Sequence, residues 1–402
     1  MPDFMVFVLI LLALAAAGFA VWGIMRHRYV ESLRAKGWEF ITSPSIQIAF
    51  GLNVPPFGVG FDRKVDDQWL GKAKDGIPFS AFKYSSTEWR SYGYAVAMPL
   101  PRSLPPGAVS RGTIGDLPNL GEPITAGEFT ASAPDQGYAG ILMDAIAPHL
   151  RGPYRVTVDH ACIVLVDAPR EADPLEDAVE QLAAIRASLL NSTAAQLTWP
   201  DAPAQLSFYE RPEWVYLPQA NEYLGNVNYT GGGFDHEAHD VILAHNGGLP
   251  FVRLRHTWKT RHTRTDAEGR TRTDIRHHEE TLCEFRTTFP FQDLSVNWGL
   301  FGRSQTFEWE DFNRRFTVRT DDPRFGSAVI HQRQMEYLMS SDAPKFQIAS
   351  GVIRVGDGGR WLPADIDWAS QFLHGFFGRV PNFVWQELGA WPRPIAEVEA
   401  GS

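Results

Sequence analysis

Residues 251–289 read FVRLRHTWKTRHTRT, then DAEG, then RTRTDIRHHEETLCEFRTTF. On both sides of Asp266-Ala267-Glu268-Gly269 the side chains alternate in character with a period of two, and the Gly-containing tetrad supplies a turn. That pattern predicts a long β-hairpin. A cut-down version stands earlier in the chain, as IPFSAFKYSS (77–86), a short polar connection and YGYAVAMPL (92–100). Extra length at a hairpin tip is tolerated because the tip is in water. The two stretches therefore read as one element present twice.

Working outward, the duplication extends along the chain. Gly60-Phe61-Asp62 and Asp75-Gly76-Ile77-Pro78-Phe79 match Gly233-Phe234-Asp235 and Gly247-Gly248-Leu249-Pro250-Phe251, at offsets of 173 and 172 residues (233 − 60 and 247 − 75). After the hairpin, FTASAPDQGYAGI from Phe129 matches FTVRTDDPRFGSA from Phe316 at an offset of 187 (316 − 129), so the second copy has gained its residues in between. A fixed period of this kind marks a repeated structural unit.

Each copy closes in the same order: a helix, strands, and a last helix. Asp322-Pro323 suits the cap and first position of one helix. Asp173-Pro174 opens another, with Leu175, Val179, Leu182, Ile185 and Leu189 in an apolar stripe. The aromatic stretch 368–385 reads as its partner, interrupted at Val380-Pro381. Strands early and helices late give an α+β class with antiparallel sheet. The expected organisation is a first α+β repeat over 37–190, a polar Pro- and Ala-containing linker over 191–207, and a second repeat over 208–390.

Ahead of the repeats, Phe4 to Met25 reads FMVFVLILLALAAAGFAVWGIM without a charge. A length near 20 apolar residues predicts a transmembrane helix over 4–25. A cleaved signal peptide fits less well, for lack of a basic leader. Arg26, His27, Arg28, Arg34 and Lys36 follow the span, and no basic side chain precedes it. The positive-inside rule then predicts a single-pass protein of the cell membrane, N-terminus outside and repeats cytoplasmic.

The net charge of −10 excludes a nucleic-acid-binding reading, which needs a basic face. Cys162 and Cys283 are the only cysteines, far apart, with neither a zinc spacing nor a disulfide framework. No cofactor motif occurs: Thr230-Gly231-Gly232-Gly233 lacks the Gly-Lys-Ser/Thr of a phosphate loop.

Glu310-Asp311-Phe312-Asn313-Arg314-Arg315-Phe316-Thr317-Val318, followed by Asp321-Asp322 and Met335-Glu336, resembles a family of uncharacterised bacterial membrane proteins common in actinobacteria. Its members carry a domain of unknown function with an "EFN…F.V…D" segment. Gly37-Trp38-Glu39-Phe40 is similar too. The resemblance implies a membrane location and a fold, and carries over no catalytic residue.

Two groups of side chains stand out as chemistry. Asp235, His236, His239 and Asp240 place imidazoles among carboxylates, the donor types of Zn²⁺ or Fe²⁺ sites and of a metal-dependent hydrolase. The spacing is not that of a helical HExxH motif. His256 and His262 on one strand are expected to face His278 and Glu280 across the hairpin. Arg253, Arg255, Arg261, Arg264, Arg270, Arg272 and Arg276 make the hairpin a basic arm on an acidic protein. The preferred expectation is a membrane-anchored, non-enzymatic interaction or scaffold protein whose arm contacts an acidic protein partner or inner-leaflet lipid headgroups. The alternative is a binder of a small or lipidic ligand between the repeats.

Overall fold

The computed structural model describes residues 2–90, 93–112, 118–265, 271–299 and 305–397. The chain divides into two compact units, Met1–Pro212 and Glu213–Ser402. Each is α+β around an antiparallel sheet.

The first unit runs α1 (Pro2–Arg34), β1 (Glu39–Ile41), β2 (Lys64–Lys72), β3 (Pro78–Ser85), β4 (Tyr94–Arg111), β5 (Ile124–Ala126), β6 (Phe129–Ser132), α2 (Gln136–Ile146), β7 (Arg155–Ala168) and α3 (Ala172–Asn191). Its sheet is ordered β1-β2-β3-β4-β6-β5, with β7 also paired to β4. The stripe read from the sequence is the buried face of α3: Leu175, Val179, Leu182, Ile185 and Leu189 are all fully buried. Each such side chain contributes about 1.5–3 kcal/mol, an upper figure because the unfolded chain already hides some surface. Asp135 caps α2 by accepting from the Tyr138 amide at 2.8 Å.

The second unit runs β8 (Val215–Gln219), β9 (Phe234–Asn246), β10 (Leu249–Thr265), β11 (Thr271–Arg286), β12 (Leu294–Trp298), α4 (Glu310–Arg315), β13 (Phe316–Thr320), α5 (Pro323–Val329), α6 (Gln332–Ser340), β14 (Phe346–Ala349), β15 (Val352–Val355), α7 (Pro363–Gly378) and α8 (Asn382–Glu387). Its sheet is ordered β13-β12-β14-β15-β11-β10-β9-β8. Phe289, Phe291, Phe377 and Trp385 pack largely edge to face in its interior.

The pairings run in parallel. The hairpin β2–β3 turns at Gly76 (φ 85°) and β9–β10 at Gly248 (φ 81°), and β6 and β13 start on the matched Phe129 and Phe316. Two pairs of aspartates show the same backbone distortion. Asp62 (φ 51°) and Asp235 (φ 53°), and Asp67 (φ 42°) and Asp240 (φ 51°), are both 173 residues apart (235 − 62 and 240 − 67). Left-handed backbone is uncommon outside glycine, and Asp is among the residues that tolerate it. The second copy differs where β4 and β7 are each broken in two, into β11/β12 and β14/β15.

One expectation is corrected. Residues 4–25 belong to α1, one helix of 33 residues, but among the described residues no helix is long and apolar enough to cross a membrane. The transmembrane part of the expected fold, and the sidedness derived from it, are therefore withdrawn. An apolar count treats the segment as a separate element, whereas the same helix continues into the first unit's core. Val30 and Leu33 are buried there, Tyr29 meets the Trp69 ring edge-on, and Arg26 pairs with Asp67 at 2.9 Å. Phe7, Leu14, Val21, Ile24 and Met25 of α1 are exposed. The polar segment 191–207 and the residues after it make hydrogen bonds to the first unit. The Trp199 amide donates to the Ser103 carbonyl, Arg63 Nη1 donates to Ser207 O at 2.6 Å, and the Tyr209 amide donates to Gly58 O. The chain leaves the first unit only at Pro212.

Candidate functional site

β10 and β11 pair without a slip from Phe251↔Phe285 to Thr265↔Thr271. Their neighbours stop early: β9 follows β10 only as far as Lys259, opposite Phe234, and β15 pairs β11 only at Phe285 and Arg286. Among the described residues no further strand pairs with them beyond Lys259, so the two continue as a two-stranded ribbon. Residues 261–264 and 271–277 are all exposed. The turn 266–269 and Arg270 lie outside the described residues.

Register sorts the cations. Thr260↔Arg276, His262↔Asp274 and Arg264↔Arg272 share one face. Arg264 and Arg272 are thus directly opposite, an arrangement of like charges that weakens a strand pair. Arg272 reaches Asp274 at 3.1 Å. On the other face Arg261 lies 4.8 Å over the Phe234 ring, beside the exposed Ile275.

The two arginines nearest the sheet have another role. Arg253 is 4% exposed, and its guanidinium donates to the carbonyls of Asp240 (2.9 Å), Arg360 (3.0 Å) and Trp361 (3.3 Å). Burial pulls it down to about 10, against the pull of the Asp240 charge. Arg255 is held by Asp240 at 3.0 Å and Glu279 at 3.8 Å. Arg253 and Arg255 consequently build the base of the ribbon, and Arg253 offers no surface to a partner.

The four residues expected as metal donors go four ways. Asp235 pairs with Lys259 (3.1 Å), His239 with Glu237 (3.0 Å), and His236 with His256 (2.9 Å). Asp240 accepts from Tyr216 (2.5 Å) and Arg255. The cause is the left-handed backbone at Asp235 and Asp240, which shifts the register of β9. His236 joins the face of His256, and His239, opposite Arg255, points to the other. Among the described residues no group of three or more His, Cys, Asp or Glu could hold a metal ion, so the metal reading loses its support.

What the register does assemble is a layer of rings. His256, fully buried, stacks on His236 at 5.1 Å and on Trp258 at 4.8 Å. Trp258 stacks on His278 at 5.2 Å, and Tyr229 covers His256 at 4.3 Å. His256 Nδ1 lies 3.0 Å from Glu280 Oε1, the cross-strand pair expected from the hairpin. Glu280 also accepts from the Thr230 amide and hydroxyl at 3.2 and 3.0 Å. Burial pushes its carboxyl up, but the hydrogen bonds from His256 and Thr230 outweigh that and hold it below the usual carboxylate value. The contribution of His236 was not legible, because it depends on the shifted register of β9. Both thiols lie in strands, and burial is the largest cause of their shifts: it pushes Cys162 up to about 12 and raises Cys283 too.

No protein-family model and no curated protein matches the chain. Among solved structures, the crystal structure of the mycobacterial trehalose monomycolate transport factor A, TtfA, is similar at 12% identity over 40% of this chain and 93% of that one, with a TM-score of 0.33. A likeness at that level carries no argument about function.

Proposed function

We propose that the protein is an interaction module that docks on an acidic protein surface through the β10–β11 ribbon. The observation that carries this reading is the directly opposed Arg264/Arg272 pair on a ribbon with no supporting strand. Like charges there cost stability, and an anionic group seated between them reverses the sign. Arg261 and Arg276 extend the same positive field along the arm, on a chain whose net charge is −10. A protein carboxylate surface fits better than a bilayer. The described part of the arm alternates Thr with Arg and His, and Ile275 is its one exposed large apolar side chain, whereas bilayer insertion needs an apolar face.

The test uses the full chain, poly-L-glutamate as probe and fluorescence anisotropy as readout. Wild type binds, and binding weakens as salt rises. The triple variant Arg264→Glu, Arg272→Glu, Arg276→Glu binds about a hundredfold more weakly at unchanged melting temperature, taking roughly 1 kcal/mol per reversed charge. The reading is wrong if the variant binds as wild type does, or if vesicles of anionic lipid bind the arm better than poly-L-glutamate at equal salt.

A further inference from the structure

The ring layer at the base of the ribbon contains a directed chain of hydrogen bonds from three strands. Glu280 of β11 accepts from His256 Nδ1, and His256 Nε2 lies 2.9 Å from His236 Nδ1 of β9. Of the proton orders this geometry allows, one leaves a lone pair at the outer end of the chain. Glu280 is a carboxylate and only accepts, so His256 Nδ1 carries hydrogen. In that order His256 Nε2 accepts from His236 Nδ1. His236, half-buried, is left with its lone pair on Nε2. The stacked Trp258 ring and the covering Tyr229 ring hold the ring of His256 in that orientation.

We propose that His236 Nε2 is a nucleophile toward neutral activated acyl groups, with His256 and Glu280 as its positioning relay. The Nε2 lone pair forms the bond to the acyl carbon, and the bond from that carbon to the leaving oxygen breaks, the oxygen taking the electron pair. The acylated ring would carry a positive charge. It loses the Nδ1 proton to His256 Nε2, and the resulting imidazolium is stabilised by the Glu280 carboxylate. Water then hydrolyses the neutral acyl-imidazole. Neutral acyl groups are favoured over phosphoryl groups because the Glu280 carboxylate on the same face opposes an added anion.

Diethyl pyrocarbonate at limiting concentration, followed by mass spectrometry of every histidine, tests the proposal on the full chain. His236 is acylated about tenfold faster than the exposed His262 and His277, despite being less accessible. An equal or slower rate at His236 overturns the proposal without any variant having to fold. Glu280→Gln slows acylation of His236 about tenfold and leaves His262 and His277 unchanged, while Glu280→Asp, which keeps the charge, retains more of the rate. A merely structural acceptor predicts the reverse order, since glutamine keeps the shape, and that order also overturns the proposal.

Discussion

The first unit closes its hairpin near the sheet: β3 and β4 pair from Ser80↔Ala97 to Phe82↔Ala95, and the connection begins after Ser85. The second unit runs the equivalent strands on to Thr265↔Thr271. Since the short hairpin already completes a sheet with a buried core, the added length is not a requirement of the architecture. The extension is polar, exposed and positively charged, which is how a contact surface differs from a folding element. The same contrast holds within β10 alone. Arg253 is buried among carbonyls, and Arg264 stands in water.

Substitution of those two arginines should separate most widely. Arg253→Ala leaves three carbonyls, two of them in buried hydrogen bonds, without this donor and costs about 3 kcal/mol in urea unfolding. Arg264→Ala stays within about 0.5 kcal/mol of wild type. Comparable costs at the two positions would end the distinction between base and arm. The paired aspartates sharpen the comparison of units. Asp240, with its side chain 3% exposed, anchors Tyr216 and Arg255, whereas Asp67 is 13% exposed beside Arg26 and Lys83. Asp240→Ala is expected to cost about 2 kcal/mol and Asp67→Ala about 1 kcal/mol. Equal losses would mean that the repeat kept the energetics as well as the backbone.

A smaller effect concerns acid. The Glu280 carboxyl is held below its usual value in the fold, so its contribution is fully present above the unfolded value of about 4.3 and is lost as pH falls through the lower folded value. Wild type should lose stability between about pH 5 and pH 3 more steeply than Glu280→Gln. Parallel acid profiles would show that His256 and Thr230 do not stabilise the charge.

The sequence made the hairpin, the duplication and the α3 stripe visible because each depends on local periodicity. The sequence placed His256 and Glu280 on facing strands for the same reason, and the register from Phe251↔Phe285 to Thr265↔Thr271 sets them directly opposite. The ring layer needed more. His236 reaches His256 only through the left-handed Asp235 and Asp240, and no residue pattern announces such a shift of register. The same bulges scatter the expected metal donors. The N-terminal helix was misjudged for a related reason, because composition does not reveal that α1 continues into a core through Val30 and Leu33. Nor does it reveal that the polar segment before Pro212 is tied back by Arg63 and Gly58.

The most direct measurement replaces residues 261–275 with a short glycine-containing turn, copying the first unit's economy, and records both thermal unfolding and poly-L-glutamate binding. The arm account predicts an unfolding free energy within about 1 kcal/mol of wild type, because the described residues removed are all exposed, together with loss of binding. Retained binding, or a unit that no longer folds, would contradict it.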